Sequence, residues 1–144
     1  MGQLDQINGK GKIGIVIVAH GGLAKEYLAA VEHVVGHQDG IVAVGASSEC
    51  NRSDKEEEIC MAADAVDAGH GVVVVTDLFG GSPSNLSRKA CRGSGRKFLY
   101  GANLPMLIKL AKCRSMDIDT AVSKALDAGR KYIDIYREAT AARV

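Results

Sequence analysis

Two stretches of the chain carry reactive side chains at points where an apolar run stops. The run Lys12–Ala19 (KIGIVIVA) leads directly into His20-Gly21-Gly22. The run Val72–Val75 leads into Thr76-Asp77-Leu78-Phe79-Gly80-Gly81-Ser82-Pro83. An imidazole and a carboxylate suit each other chemically. The carboxylate accepts the N–H of one ring nitrogen, which fixes the tautomer and leaves the lone pair of the other nitrogen free. That nitrogen can act as a base, a ligand or a nucleophile. Gly21, Gly22, Gly80 and Gly81 allow a backbone or a substrate to come close. Ser82 adds a hydroxyl, and Ser82-Pro83 reads as the cap and first residue of a helix. A helix N-terminus there, and another after Gly22, would offer N–H groups and positive dipole ends to a phosphoryl group. The chemistry read from His20, Asp77, Gly21, Gly81 and Ser82 is therefore an imidazole nucleophile that accepts a phosphoryl group. The same His20 and Asp77 also read as a satisfied polar pair in a turn, and spacing alone leaves both readings open.

The elements that must hold these residues alternate. Lys12–Ala19 is a nearly continuous β-branched run, read as a strand buried on both faces; Ile41–Gly45 (IVAVG) reads as a second strand and Val72–Asp77 (VVVVTD) as a third, buried one. Arg96–Gly101 is a weaker fourth strand. Between them, Leu23–Val35 has helical apolar spacing and stops at Gly36. Ser53-Asp54-Lys55-Glu56 has the pattern of a capping box opening a helix to about Ala68. A helix from Pro83 to about Arg92 follows the third strand, and Asn103 can cap one from Leu104 to about Cys113. Asp117–Ala128 reads as a last helix ending at Gly129. Lys131–Tyr136 alternates Tyr132, Asp134 and Tyr136 against Ile133 and Ile135, which predicts a half-exposed strand. Strands alternating with helices predict an α/β fold, a doubly wound, mostly parallel four-stranded sheet flanked by helices. In the order 2-1-3-4 the switch point lies between strands one and three, and His20 would face Asp77 across it.

The chain has 144 residues, enough for one domain, expected over 12–138 with flexible tails at 1–11 and 139–144. Lys and Arg number 18 against 17 Asp and Glu, so the net charge is +1 and no long-range field favours nucleic acid. Aromatic residues are 4% and Trp is absent, which argues against a base-stacking surface. The longest apolar run, Ile13–Ala19, is far below the ~18 residues of a membrane helix. No direct membrane insertion and no secretory leader are expected. The cysteines at 50, 60, 91 and 113 form no C-x-x-C pair, so a reduced, cytoplasmic setting is expected. Gly9-x-Gly11-x-x-Gly14 matches a dinucleotide pattern but precedes its strand, where that pattern has no mechanism. His33 and His37 lack a third ligand and His70 sits in a Gly69-His70-Gly71 turn, so neither a metal nor a cofactor is expected.

The strand-end His20-Gly21, the seven-residue Asp77-Leu78-Phe79-Gly80-Gly81-Ser82-Pro83, and Gly101-Ala102-Asn103-Leu104-Pro105-Met106-Leu107 after strand four, with Glu32 and Gly36, carry a resemblance. Over Lys12 to Tyr136 the chain resembles the mannose-type IIA component of the bacterial phosphoenolpyruvate:sugar phosphotransferase system. The resemblance implies a 2-1-3-4 sheet, a phosphorylated histidine at His20 with Asp77 as its orienting partner, and a homodimer that exchanges the C-terminal strand. It implies HPr as phosphoryl donor and a IIB component, or a regulatory readout, downstream. The segment Ala46–Asn51 lacks the Gly-Glu pair often seen there, and no fused IIB domain is expected, so the acceptor and the sugar stay open. The phosphotransfer subunit of dihydroxyacetone kinase shares the fold and a strand-end histidine and is the alternative within the same chemistry. A non-catalytic module binding an anion or a partner is the alternative outside it.

Overall fold

A computed structural model describes residues 11–47, 51–92 and 95–138 of the chain. Its elements run β1 (Gly14–His20), α1 (Leu23–Val35), β2 (Ile41–Ala46), α2 (Arg52–Val66), β3 (Val72–Thr76), α3 (Ser82–Cys91), β4 (Lys97–Leu99), α4 (Leu104–Lys112) and α5 (Ile118–Lys131). All strand pairings are parallel and the order is β2-β1-β3-β4, as expected. The register sets Val18 beside Thr76 and His20 beside Ala46, so the carboxyl ends of β1, β2 and β3 finish at one level.

The absence of polar residues from β1 and β3 up to their terminal His20 and Thr76 follows from cover on both faces. Ile13, Ile15, Ile17 and Ala19 join Val73 and Val75 under α1, α4 and α5. Val16 and Val18 join Val72 and Val74 under α2 and α3. Successive side chains of a strand point to opposite faces, so one continuous apolar run feeds two cores. At roughly 1.5–3 kcal/mol per fully buried aliphatic side chain, β1 and β3 are the most stabilised part of the molecule and the least able to move.

Several helix ends differ from expectation. Asn51, not Ser53, caps α2: its side chain accepts the Asp54 N–H at 3.0 Å, and the helix ends at Val66. Ser82 is not the cap of α3; that position is Gly81, and Ser82 is the first helical residue with Pro83 behind it. Asn103 and Asp117 do cap α4 and α5, accepting from Met106 and Thr120.

The largest difference is at the C-terminal end. Gly129 does not stop α5, which runs on to Lys131. A Cβ on Gly129 would lie 3.1 Å from Met106 Cβ, and the Gly129 carbonyl accepts from Asn103 Nδ2 at 2.8 Å. The glycine is there so that α5 can lie close to the start of α4, which is a packing demand rather than a break. The strand expected over Lys131–Tyr136 is not formed within the chain. Tyr132, Ile133, Ile135 and Tyr136 follow the helix as exposed, unpaired residues. A strand needs a ladder partner, and none of the described strands takes this segment. The expected tails, apart from Gly11, fall outside the described residues, as do Cys50 and Gly9.

Candidate active site

Strand β1 ends on His20 because the next residue turns. Gly21 has φ +55°, a conformation side chains avoid, and its N–H donates to the Ala46 carbonyl at 3.0 Å. Its amide is thus engaged by β2, and what Gly21 contributes to the site is the turn. Strand β3 ends on Thr76, whose hydroxyl donates to the Leu78 carbonyl at 3.2 Å and tightens the loop that carries Asp77.

The two strand ends meet through Asp77. His20 Nδ1 lies 2.8 Å from Asp77 Oδ2, and the His20 backbone N–H donates to the same oxygen at 3.0 Å. Oδ1 accepts the Leu78 N–H at 2.9 Å. The Asp77 side chain is 10% exposed and that of His20 is 50% exposed. The carboxylate is thus enclosed while the ring reaches solvent. Burial pushes the Asp77 carboxyl up, but the hydrogen bonds from the His20 backbone and ring, their charge attraction and the Leu78 N–H together hold it below the usual carboxylate range. An ionised Asp77 accepting from Nδ1–H leaves the lone pair on Nε2.

Nε2 faces the start of α3. A Cβ built on Gly81 would stand 3.1 Å from Nε2 and 3.0 Å from Cε1 of His20. The absence of that Cβ keeps the ring edge open. A helix leaves the amides of its first turn without internal acceptors, and Pro83 has none to offer. Donors at this end of α3 therefore come from Gly81, Ser82 and Ser84. The arrangement is an uncharged nucleophilic nitrogen beside a cluster of N–H donors and a positive dipole end, which suits a phosphoryl group.

His20, Asp77 and Gly81 are thus brought together as expected; Ser82 lies at the helix start with an exposed side chain, and Gly21 lies behind the ring. Three features were not legible in the chain. The Ser84 hydroxyl is buried in the first turn of α3 without a partner among the described residues. Tyr27 donates its hydroxyl to the Ala102 carbonyl at 3.0 Å, and its pKa is raised by burial and by the Asp77 charge. Leu78, Phe79 and Tyr100 are exposed, with the Phe79 and Tyr100 rings 4.7 Å apart. His37, away from the site, is held by Glu32 at 3.1 Å and Asp39 at 2.9 Å. No group of three or more His, Cys, Asp or Glu among the described residues is arranged to hold a metal.

A family model described as the PTS system fructose IIA component matches residues 14–126. The mannose-specific EIIAB component of the PTS from Escherichia coli K12 is 30% identical over 122 residues, 83% of this chain and 38% of that protein. The chain therefore spans well under half the length of this relative. A phosphotransferase system component EIIA from Streptococcus agalactiae superposes with a TM-score of 0.74 at 28% identity, covering 85% of this chain and 96% of that one. The mannose/sorbose-specific IIA subunit from Enterococcus faecalis gives a TM-score of 0.74 at 25% identity, covering 88% and 96%. The matched span runs from the first strand into the last helix, so the class these findings define is that of IIA components of a sugar phosphotransferase system. The chain belongs to the mannose-type EIIA family of that system.

Proposed function

We propose that this protein is a cytoplasmic phosphoryl carrier in which His20 Nε2 takes a phosphoryl group from phospho-HPr and passes it to a IIB component or holds it as a regulatory signal. The observation that carries the proposal is the pair of contacts on one ring: Nδ1 on Asp77 at 2.8 Å, and Nε2 over the bare Cα of Gly81. In the first half-reaction the bond from phosphorus to the donor imidazole breaks as the bond to Nε2 forms. Nδ1 keeps its proton. The positive charge that develops on the ring is balanced by the Asp77 carboxylate. Such a transfer needs alignment and charge stabilisation more than proton movement. The amides of Gly81 and Ser82 would cradle the phosphoryl oxygens. No helix among the described residues is long and apolar enough to cross a membrane, which agrees with a carrier that meets its partners in solution. The exposed Tyr132–Tyr136 segment supports the strand exchange of a homodimer, since it is patterned as a strand and pairs with none of the described strands.

Incubation with phosphoenolpyruvate, enzyme I and HPr tests the reading. One acid-labile, base-stable phosphoryl group per chain is expected, and His20→Ala removes it. Absence of label on the parent protein leaves only a binding role. Label from the dihydroxyacetone-kinase system in place of a IIB acceptor would move the protein to that branch.

A further inference from the structure

We propose that a cationic cleft along α3, apart from the His20 site, binds a small molecule carrying two or more phosphoryl groups. The cleft has a volume of about 840 Å³ and is lined by Arg88 and Lys89 from the C-terminal half of α3, by Arg92 just past its end, and by Arg52 from the start of α2. Asn85 and Phe98 complete the wall that matters for recognition. Pockets for small ligands run to roughly 300–1,000 Å³, so the space is of ligand size.

Cations near a helix C-terminus complement its dipole, and Arg88 and Lys89 lie in the last turn of α3. That effect alone does not produce this cleft. Arg52 comes from the opposite kind of helix end, where the dipole disfavours a cation. Among the described residues the cleft is lined by four cations and one carboxylate, Glu56, in a chain whose net charge is only +1. Glu56 already lies 3.3 Å from Arg52 Nε, and Arg88, Lys89 and Arg92 have no carboxylate partner among the described residues. Like charges gathered without counter-charges cost stability, so their convergence points to an anionic ligand. Asn85, Arg88 and Lys89 stand at i, i+3 and i+4 on one face of α3, and Arg92, at the C-cap, extends the row past the helix end to a span of about 10 Å. That length matches linked phosphoryl groups rather than a single one. Guanidinium groups bind phosphate oxygens in pairs, the Asn85 amide can orient the ligand, and Phe98 offers a flat apolar wall. Concavity and size favour a small molecule over the broad acidic face of another protein.

Calorimetric titration of the full chain with ATP and with inorganic pyrophosphate, at physiological salt, tests the proposal. Both are expected to bind, and Arg88→Gln combined with Arg92→Gln should weaken each by about tenfold or more with an unchanged circular dichroism spectrum. Lys109→Gln with Lys124→Gln, a cationic pair on α4 and α5, should leave both affinities unchanged. His20→Ala should also leave them unchanged, which separates this cleft from the phosphoryl-carrier site. Failure of the parent to bind either probe overturns the proposal. So does an equal loss in the lysine control or a loss confined to His20→Ala. Arginine-dependent binding of poly-glutamate without binding of ATP or pyrophosphate would assign the cleft to an acidic protein instead.

Discussion

Asp77 uses both carboxylate oxygens at the end of β1 and β3: one on the ring and backbone of His20, the other on Leu78. Replacing it with Asn keeps an acceptor but removes the charge that, in the proposed transfer, balances the imidazole. Asp77→Asn should slow phosphoryl transfer from phospho-HPr roughly 10–100-fold with the fold intact. A quench-flow rate equal to the parent's would reduce Asp77 to a structural role. Because the folded pKa of Asp77 is depressed, its contribution to stability is fully present above the unfolded carboxylate pKa and is lost as pH falls through the folded one. Acid unfolding below about pH 4 should therefore be gentler in Asp77→Asn, and the stability difference between the two proteins should shrink as pH falls through that range. Gly81 acts by what it lacks. Its φ is −89°, so a side chain there meets no backbone strain; it meets the His20 ring and Leu78. Gly81→Val should cut the transfer rate by more than Ser82→Ala, since the first displaces the nucleophile and the second leaves the backbone donors. The opposite ranking in the same assay would remove the backbone cradle from the account. The strand-end histidine and its carboxylate were legible because apolar runs end on them. The contact between Gly81 and Nε2 was not, because it joins residues sixty-one apart through the approach of a loop to a ring.

At the scale of elements, the strands were legible and the helix ends less so. Uninterrupted Val and Ile runs between glycines leave little choice but a two-sided buried strand. Helix starts are chosen among neighbouring capping residues. Asn51 and Ser53 are both good caps, and the chain takes Asn51, whose side chain reaches Asp54. Gly129 was misread as a stop because the reason for it lies on α4. There Asn103 caps its own helix through Oδ1 and holds the Gly129 carbonyl through Nδ2. One residue thus fixes the start of α4 to the end of α5. Asn103→Ala removes a cap worth about 1 kcal/mol and a second hydrogen bond of similar size. Urea unfolding should show a loss of about 1.5–2.5 kcal/mol at unchanged m-value, with phosphorylation of His20 retained. A loss near zero would mean that water replaces both contacts.

For the whole molecule, the segment after α5 is what the proposed dimer rests on. Its alternation reads as a strand, yet none of the described strands pairs with it. Light scattering should give about twice the 15.1 kDa of one chain, and deletion from Tyr132 onward should give a monomer or an aggregating species. A mass near that of one chain for the intact protein would contradict the dimer. The central claim of the proposed function concerns one nitrogen: with Asp77 holding Nδ1–H, a phosphoryl group accepted by His20 would bond to Nε2. Phosphorus–nitrogen correlation NMR on protein phosphorylated through HPr reads that bond directly. The account predicts a single phosphohistidine, His20, bonded through Nε2. A bond to Nδ1 of His20, or to His33, His37 or His70, would contradict it.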